Sequence, residues 1–165
     1  MTDFPDRAAV RAELAALFKG NLTGAGKLVQ TVYSFTVKDF GGASPVMVVG
    51  SGGTEMVPFT ARGSRPVFSL DLWTFVLYAD VKENGELTTV DDIPLAEGGV
   101  PVWSEADSEA ALDAIEAGVR QLLDSNPRGA NWKSIKYAGP STVDQVPVGD
   151  QVYRRELTPL RVEVF

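Results

Sequence analysis

The side chains available for chemistry in this chain are carboxylates, lysines, arginines, hydroxyls and aromatics, because its 165 residues include no histidine and no cysteine. Without histidine no imidazole can shuttle protons near neutral pH, and a Ser-His-Asp relay cannot be built. Without cysteine there is no thiolate nucleophile, no thiol redox couple and no Cys-based zinc site. The carboxylates cluster only at Asp91-Asp92 and Glu105-Ala106-Asp107 outside the first helix. A catalytic pair would draw its two acids from distant positions, and the calcium-loop pattern of alternating acids fits nowhere. These clusters read as solvated acids on a loop and at a helix N-terminus. Gly50-Ser51-Gly52-Gly53-Thr54 has the glycines of a phosphate loop, but no lysine precedes its hydroxyl residues and no helix follows. It reads as a hairpin turn. Trp73, Trp103 and Trp132 are candidates for a stacking platform, yet each lies beside a core-like segment, which favours packing. Tyr153-Arg154-Arg155-Glu156 supports two readings equally, an interface anchor or charges that blunt a sheet edge. No catalytic residue, cofactor site or metal site is expected.

The elements that must position these groups follow from periodicity. Asp3 to about Phe18 reads as a helix, with Asp3 at its cap, Pro5 in its first turn and an apolar stripe of Val10, Leu14 and Leu17; Gly20 and Asn21 are expected to stop it. Val29 to Val37 alternates like a strand with one wet face. Pro45 to Val49 gives a short strand before the glycine run. Val67 to Ala79 is the longest strand, with Phe68, Leu70, Leu72, Val76 and Tyr78 on one face and Trp73, Phe75 and Leu77 on the other. Apolar residues on both sides mark it as a central strand covered twice over its second half. An acidic stretch follows at about 80–102, where Asn84-Gly85 is the strongest two-residue hairpin signal; it reads as a projecting arm. Ser104 caps a second helix whose stripe is Leu112, Ile115, Val119 and Leu122, ended by Asn126-Pro127. Strands are expected at Trp132–Tyr137, Thr142–Val148 and Gln151–Phe165, the last two joined at Gly149-Asp150. A phase slip near Pro159 points to a bulge or an edge position. The fold class is α+β, a single domain over 1–165 with a mostly antiparallel sheet, two helices packed on it and a projecting β-hairpin.

Bulk properties narrow the function classes. A hydrophobic fraction of 44% and a charged fraction of 22% are those of an ordinary globular chain. At this length roughly 70% of the unfolded surface can be buried, so no disulfide or metal is required. A formal net charge of −7 disfavours nucleic-acid binding and anionic membrane surfaces. Asp6, Arg7, Arg11 and Glu13 interrupt the first helix, unlike a signal peptide, and no apolar run reaches the ~20 residues of a membrane span.

The order of parts carries a resemblance. An N-terminal helix precedes strands ending in Phe68-Ser69-Leu70-Asp71-Leu72-Trp73-Thr74-Phe75-Val76-Leu77. Trp103-Ser104-Glu105-Ala106-Asp107 then opens a helix, Trp132-Lys133-Ser134-Ile135-Lys136-Tyr137 follows, and the chain closes with Val148-Gly149-Asp150-Gln151-Val152-Tyr153-Arg154-Arg155-Glu156. Across nearly the whole chain this resembles the tail terminator (tail completion) proteins of long, non-contractile-tailed bacteriophages. The resemblance implies a non-enzymatic virion protein, assembled in the host cytoplasm, that forms a hexameric ring capping the tail tube. Its implied partners are itself, the tail tube protein and the head connector, with DNA passing through without sequence-specific binding. The charge of −7 on each copy would give such a channel a sign that lets DNA slide without sticking. Arg62, Arg65, Asn84, Gly85, Arg154 and Arg155 are the contact candidates for such a ring, since basic groups are scarce and acidic partners abundant. Rival readings are a neighbouring connector or minor tail protein, a carbohydrate-binding module using its tryptophans, and a carboxylate-based hydrolase.

Overall fold

The computed structural model describes residues 4–24, 27–41, 43–58, 60–61, 63–77, 88–90, 93–95, 105–149 and 151–165. Their elements are α1 (Arg7–Leu22), β1 (Thr31–Tyr33), β2 (Val46–Pro58), β3 (Ser64–Leu77), β4 (Thr88–Val90), β5 (Ile93–Leu95), α2 (Glu105–Ser125), β6 (Ser134–Tyr137), β7 (Thr142–Val148) and β8 (Gln151–Glu163). The main sheet runs β1-β2-β3-β8, and β8 carries β6 and β7 end to end along its far side. Only β1 on β2 is parallel; the other pairings are antiparallel. Two helices pack on one face, so the molecule is α+β with a mostly antiparallel sheet. A separate two-stranded ladder joins β4 to β5. The expected turn at Asn84-Gly85 lies outside the described residues.

β3 is the axis of the fold. Phe68, Leu70, Leu72 and Val76 point toward the helices and pack with Val10, Leu14 and Phe18 of α1 and with Leu112, Ile115 and Val119 of α2. The alternate residues Phe75 and Leu77, with half-buried Trp73, build a second cluster on the opposite face with Phe40, Val46, Val48 and Tyr153. Phe40 stacks edge-on to Tyr153 at 5.4 Å and tilts against Phe75 at 4.8 Å. The two-sided pattern read for this strand is therefore what the packing uses. Trp132 is buried in the helix-side core.

Several expectations are corrected. The cap of α1 is Asp6, whose carboxylate accepts from Ala9 N at 2.7 Å, so Pro5 precedes the helix instead of lying in its first turn. Gly20 and Asn21 do not stop it: the helix continues to Leu22, which is buried against Gly118 of α2. Burial of that leucine outweighs the weak helix propensity of two residues. Phe18 joins Val10 and Leu14 as a fully buried residue of the stripe, and Leu17 only flanks the core. The strand expected from Val29 to Val37 shrinks to β1, and Phe35 is exposed.

The glycine run is no turn. β2 passes through it as one 13-residue strand, and the register with β3 shifts between Ser51 and Gly53. This is a β-bulge. A Cβ at Gly52 would stand 3.0 Å from the Ser69 carbonyl oxygen and 3.1 Å from Asp71 Oδ1, and Gly53 has φ +134°. Glycine is needed there for close approach and for backbone hand. Nor is β8 bulged or at an edge. It pairs with β3 without interruption from Tyr153 to Glu163. Pro159 falls in the gap between β6 and β7, where its carbonyl accepts from Ala138 N at 2.8 Å and its missing donor is not required. The slip in alternation reflects a change of which face is apolar: Tyr153 serves one cluster, and Leu160, Val162 and Val164 serve the other.

Candidate interaction surface

Arg154 and Arg155 are adjacent on β8 and therefore point to opposite faces of the sheet. Arg154 is buried beneath α2, where its Nη1 donates to Glu109 Oε1 at 2.9 Å. Arg155 lies over the Trp73 ring at 4.6 Å and grips Asp144 of β7 with two bonds, 2.9 Å from Nε and 2.5 Å from Nη2. That fork fixes both the guanidinium plane and the β7–β8 hairpin. Arg65 approaches Glu163 at 3.8 Å on the same face as Arg155. The three described arginines of the expected contact set, Arg65, Arg154 and Arg155, thus have acidic partners inside their own chain and are spread over both faces. The expectation that Arg154 and Arg155 blunt a sheet edge is overturned, because β8 has neighbours on both sides. Arg62, Asn84 and Gly85 lie outside the described residues. Trp73 offers no free stacking face toward Arg155, and Trp132 is buried.

A polar strip under α2 was not foreseen. Arg154, Glu156 and Thr158 of β8 and Thr74 of β3 are all buried and share the helix-facing side. Ser141 donates its hydroxyl to Glu156 at 2.8 Å, and Tyr137 donates to Glu116 of α2 at 3.0 Å. Arg120 pairs with the other Glu116 oxygen at 3.1 Å. Burial pushes the Glu156 carboxyl up, against the opposing Ser141 bond, and the negative charges of Glu116 and Asp113 add to the rise. Burial, then the bond to Glu116, holds the Tyr137 hydroxyl well above its ordinary value. The readable signal was the run Arg154, Glu156, Thr158, three polar residues on the face that Leu160 and Val162 continue as core.

The sheet's two rims are the remaining surface of note. β1 covers β2 only at Val46 to Val48, whereas β3 pairs with β2 as far as Pro58. The outer side of β2 beyond Val48 has no strand partner among the described residues. The outer side of β7 likewise has none. Met56 on β2 is 59% exposed and Val143 on β7 is 53% exposed. Both lie on the helix-facing side, opposite Pro66 and Glu156 respectively. A cleft of about 410 Å³ opens where the ends of α1 and α2 meet, floored by Leu22, Gly118 and Leu122. Among the described residues no acidic or other ligand cluster fits a metal ion, and no helix is long and apolar enough to cross a membrane.

No protein-family model matches this chain, and no curated protein matches it.

Proposed function

We propose that this chain is a structural virion protein, a ring-forming tail terminator that caps the tail tube of a long, non-contractile-tailed phage and meets the head connector. The observation that carries the reading is the pair of unlike rims on one sheet, at β2 and at β7. A head-to-tail ring requires two different patches on each protomer, related by a rotation that closes. Sheet rims supply such patches through backbone groups, without any dedicated chemical motif. The element order supports this reading: helix, strands through β3, the short β4–β5 ladder, helix, then three strands. A ring of protomers that each carry −7 is strongly acidic, which suits a channel through which DNA slides without sticking.

The test is the solution mass of the purified protein, followed by particle imaging after mixing with purified tail tubes. The expected result is a closed ring of several copies seated on one end of each tube. A protomer that stays single and leaves the tubes uncapped overturns the proposal, as does tight, salt-sensitive binding to duplex DNA.

A further inference from the structure

The two rims have complementary backbone patterns. In antiparallel sheets, successive residues turn their N–H and C=O groups to alternate sides. Pro159 sets the phase here: its carbonyl accepts from Ala138 N, so its backbone groups face the β6–β7 side of β8. Its partner on β3, Asp71, then faces β2, and so do Ser69 and Val67. Their partners Gly53 and Glu55 face back toward β3, which leaves Thr54 and Met56 with backbone groups aimed outward. On the other rim Asp144 and Val146 pair inward with Arg155 and Tyr153, so Val143 and Gln145 aim outward. Each outward run ends at a residue without a donor, Pro58 on β2 and Pro147 on β7.

Strand sense also matches. Three successive antiparallel pairings separate β2 from β7, so the two strands run in opposite directions within one sheet. We infer that a second copy of this chain docks by laying the outer rim of its β7 along the outer rim of β2, pairing Thr54 with Gln145 and Met56 with Val143. The inference rests on the self-assembly reading above and names the contact that reading needs. In this register four N–H groups donate across the joint, Pro58 falls beyond it, and Pro147 reaches the bulge at Gly52. Exposed Met56 and exposed Val143 come together on the helix-facing side. On the other side Glu55 comes opposite Asp144. Each of these acids has a guanidinium of its own chain nearby, Arg161 at 3.6 Å and Arg155 at 2.5 Å, so the four charges sum to zero. Because the two rims differ, each docking leaves one of each free for the next copy.

Proline at an outward strand position removes a donor without removing a backbone bond inside the chain, and at Thr54 it also removes the exposed hydroxyl that accepts from Arg7 Nη1 at 3.1 Å. Sedimentation of the wild type, Thr54→Pro and Gln145→Pro over a range of concentrations therefore tests the joint. Each variant alone is expected as single protomers where the wild type assembles. Their equimolar mixture should give a heterodimer and nothing larger, because only one intact rim of each kind remains. Glu55→Gln removes the like-charge contact and should lower the assembly midpoint about 2- to 5-fold. If the wild type assembles and both proline variants assemble equally well, this pairing is wrong and the self-assembly reading survives. A wild type that never assembles removes both. An unchanged or raised midpoint for Glu55→Gln overturns the register. Should a proline variant lose its circular dichroism spectrum, amide exchange of the wild type decides. Protection at Thr54, Met56, Val143 and Gln145 that grows with protein concentration supports the joint, and protection independent of concentration overturns it.

Discussion

Glu156 is held between the Ser141 hydroxyl and the acids of α2, in a strip from which most water is excluded. Its folded state binds a proton more tightly than the unfolded chain does. Stability should therefore rise as pH falls from above the raised value toward the ordinary 4.5, and this contribution flattens below it. Glu156→Gln keeps a partner for Ser141 without the buried charge. It should raise the midpoint of thermal unfolding at pH 7 and flatten this part of the pH profile; an unchanged slope between pH 5 and pH 7 would count against the assignment. Asp144 acts with the opposite sign. The Arg155 fork holds its carboxyl below the ordinary 3.8, so its stabilisation is lost as pH falls through that region. Asp144 is more than half exposed, so its share is small.

Among the elements, β2 departs most from its sequence pattern. A glycine run bracketed by apolar residues has the composition of a turn, and only the partner strand reveals a bulge. Gly52→Val places a branched side chain against the Ser69 carbonyl and the Asp71 carboxylate. It should cost about 1–3 kcal/mol in urea unfolding, and a cost near zero would mean the bulge relaxes freely. α2, β3, β7 and β8 were legible because long apolar stripes, a two-faced strand and a Gly-turn hairpin fix them locally. The ends of α1 and the shortness of β1 were not, because they depend on what Leu22 and Phe35 meet or fail to meet elsewhere in the fold. The same limit applies to the surface. Arg154 and Arg155 were visible as charges, but which face each took, and that each was already paired, required the register of β8.

At the scale of the whole molecule, one sheet carries two separate apolar clusters, and β3 contributes to both. Leu14→Ala on the helix side should cost about 2–5 kcal/mol, and Phe40→Ala on the opposite side about 3–5 kcal/mol. The sheet lies between the two sites and they share no cluster, so the double variant should show the sum within about 0.5 kcal/mol. A clear departure from additivity in chemical denaturation would show that the faces communicate through β3. Unfolding of the wild type should still be a single transition, since neither cluster can form without that strand.

The guanidinium parked over Trp73 gives the protein a built-in optical gauge. A cation against an indole changes the colour and yield of its emission, and here that cation is held in place by Asp144 on β7. Any event that tugs on this hairpin, whether a neighbour settling beside it or solvent prying it loose, should register as a shift in ultraviolet glow without a dye being attached.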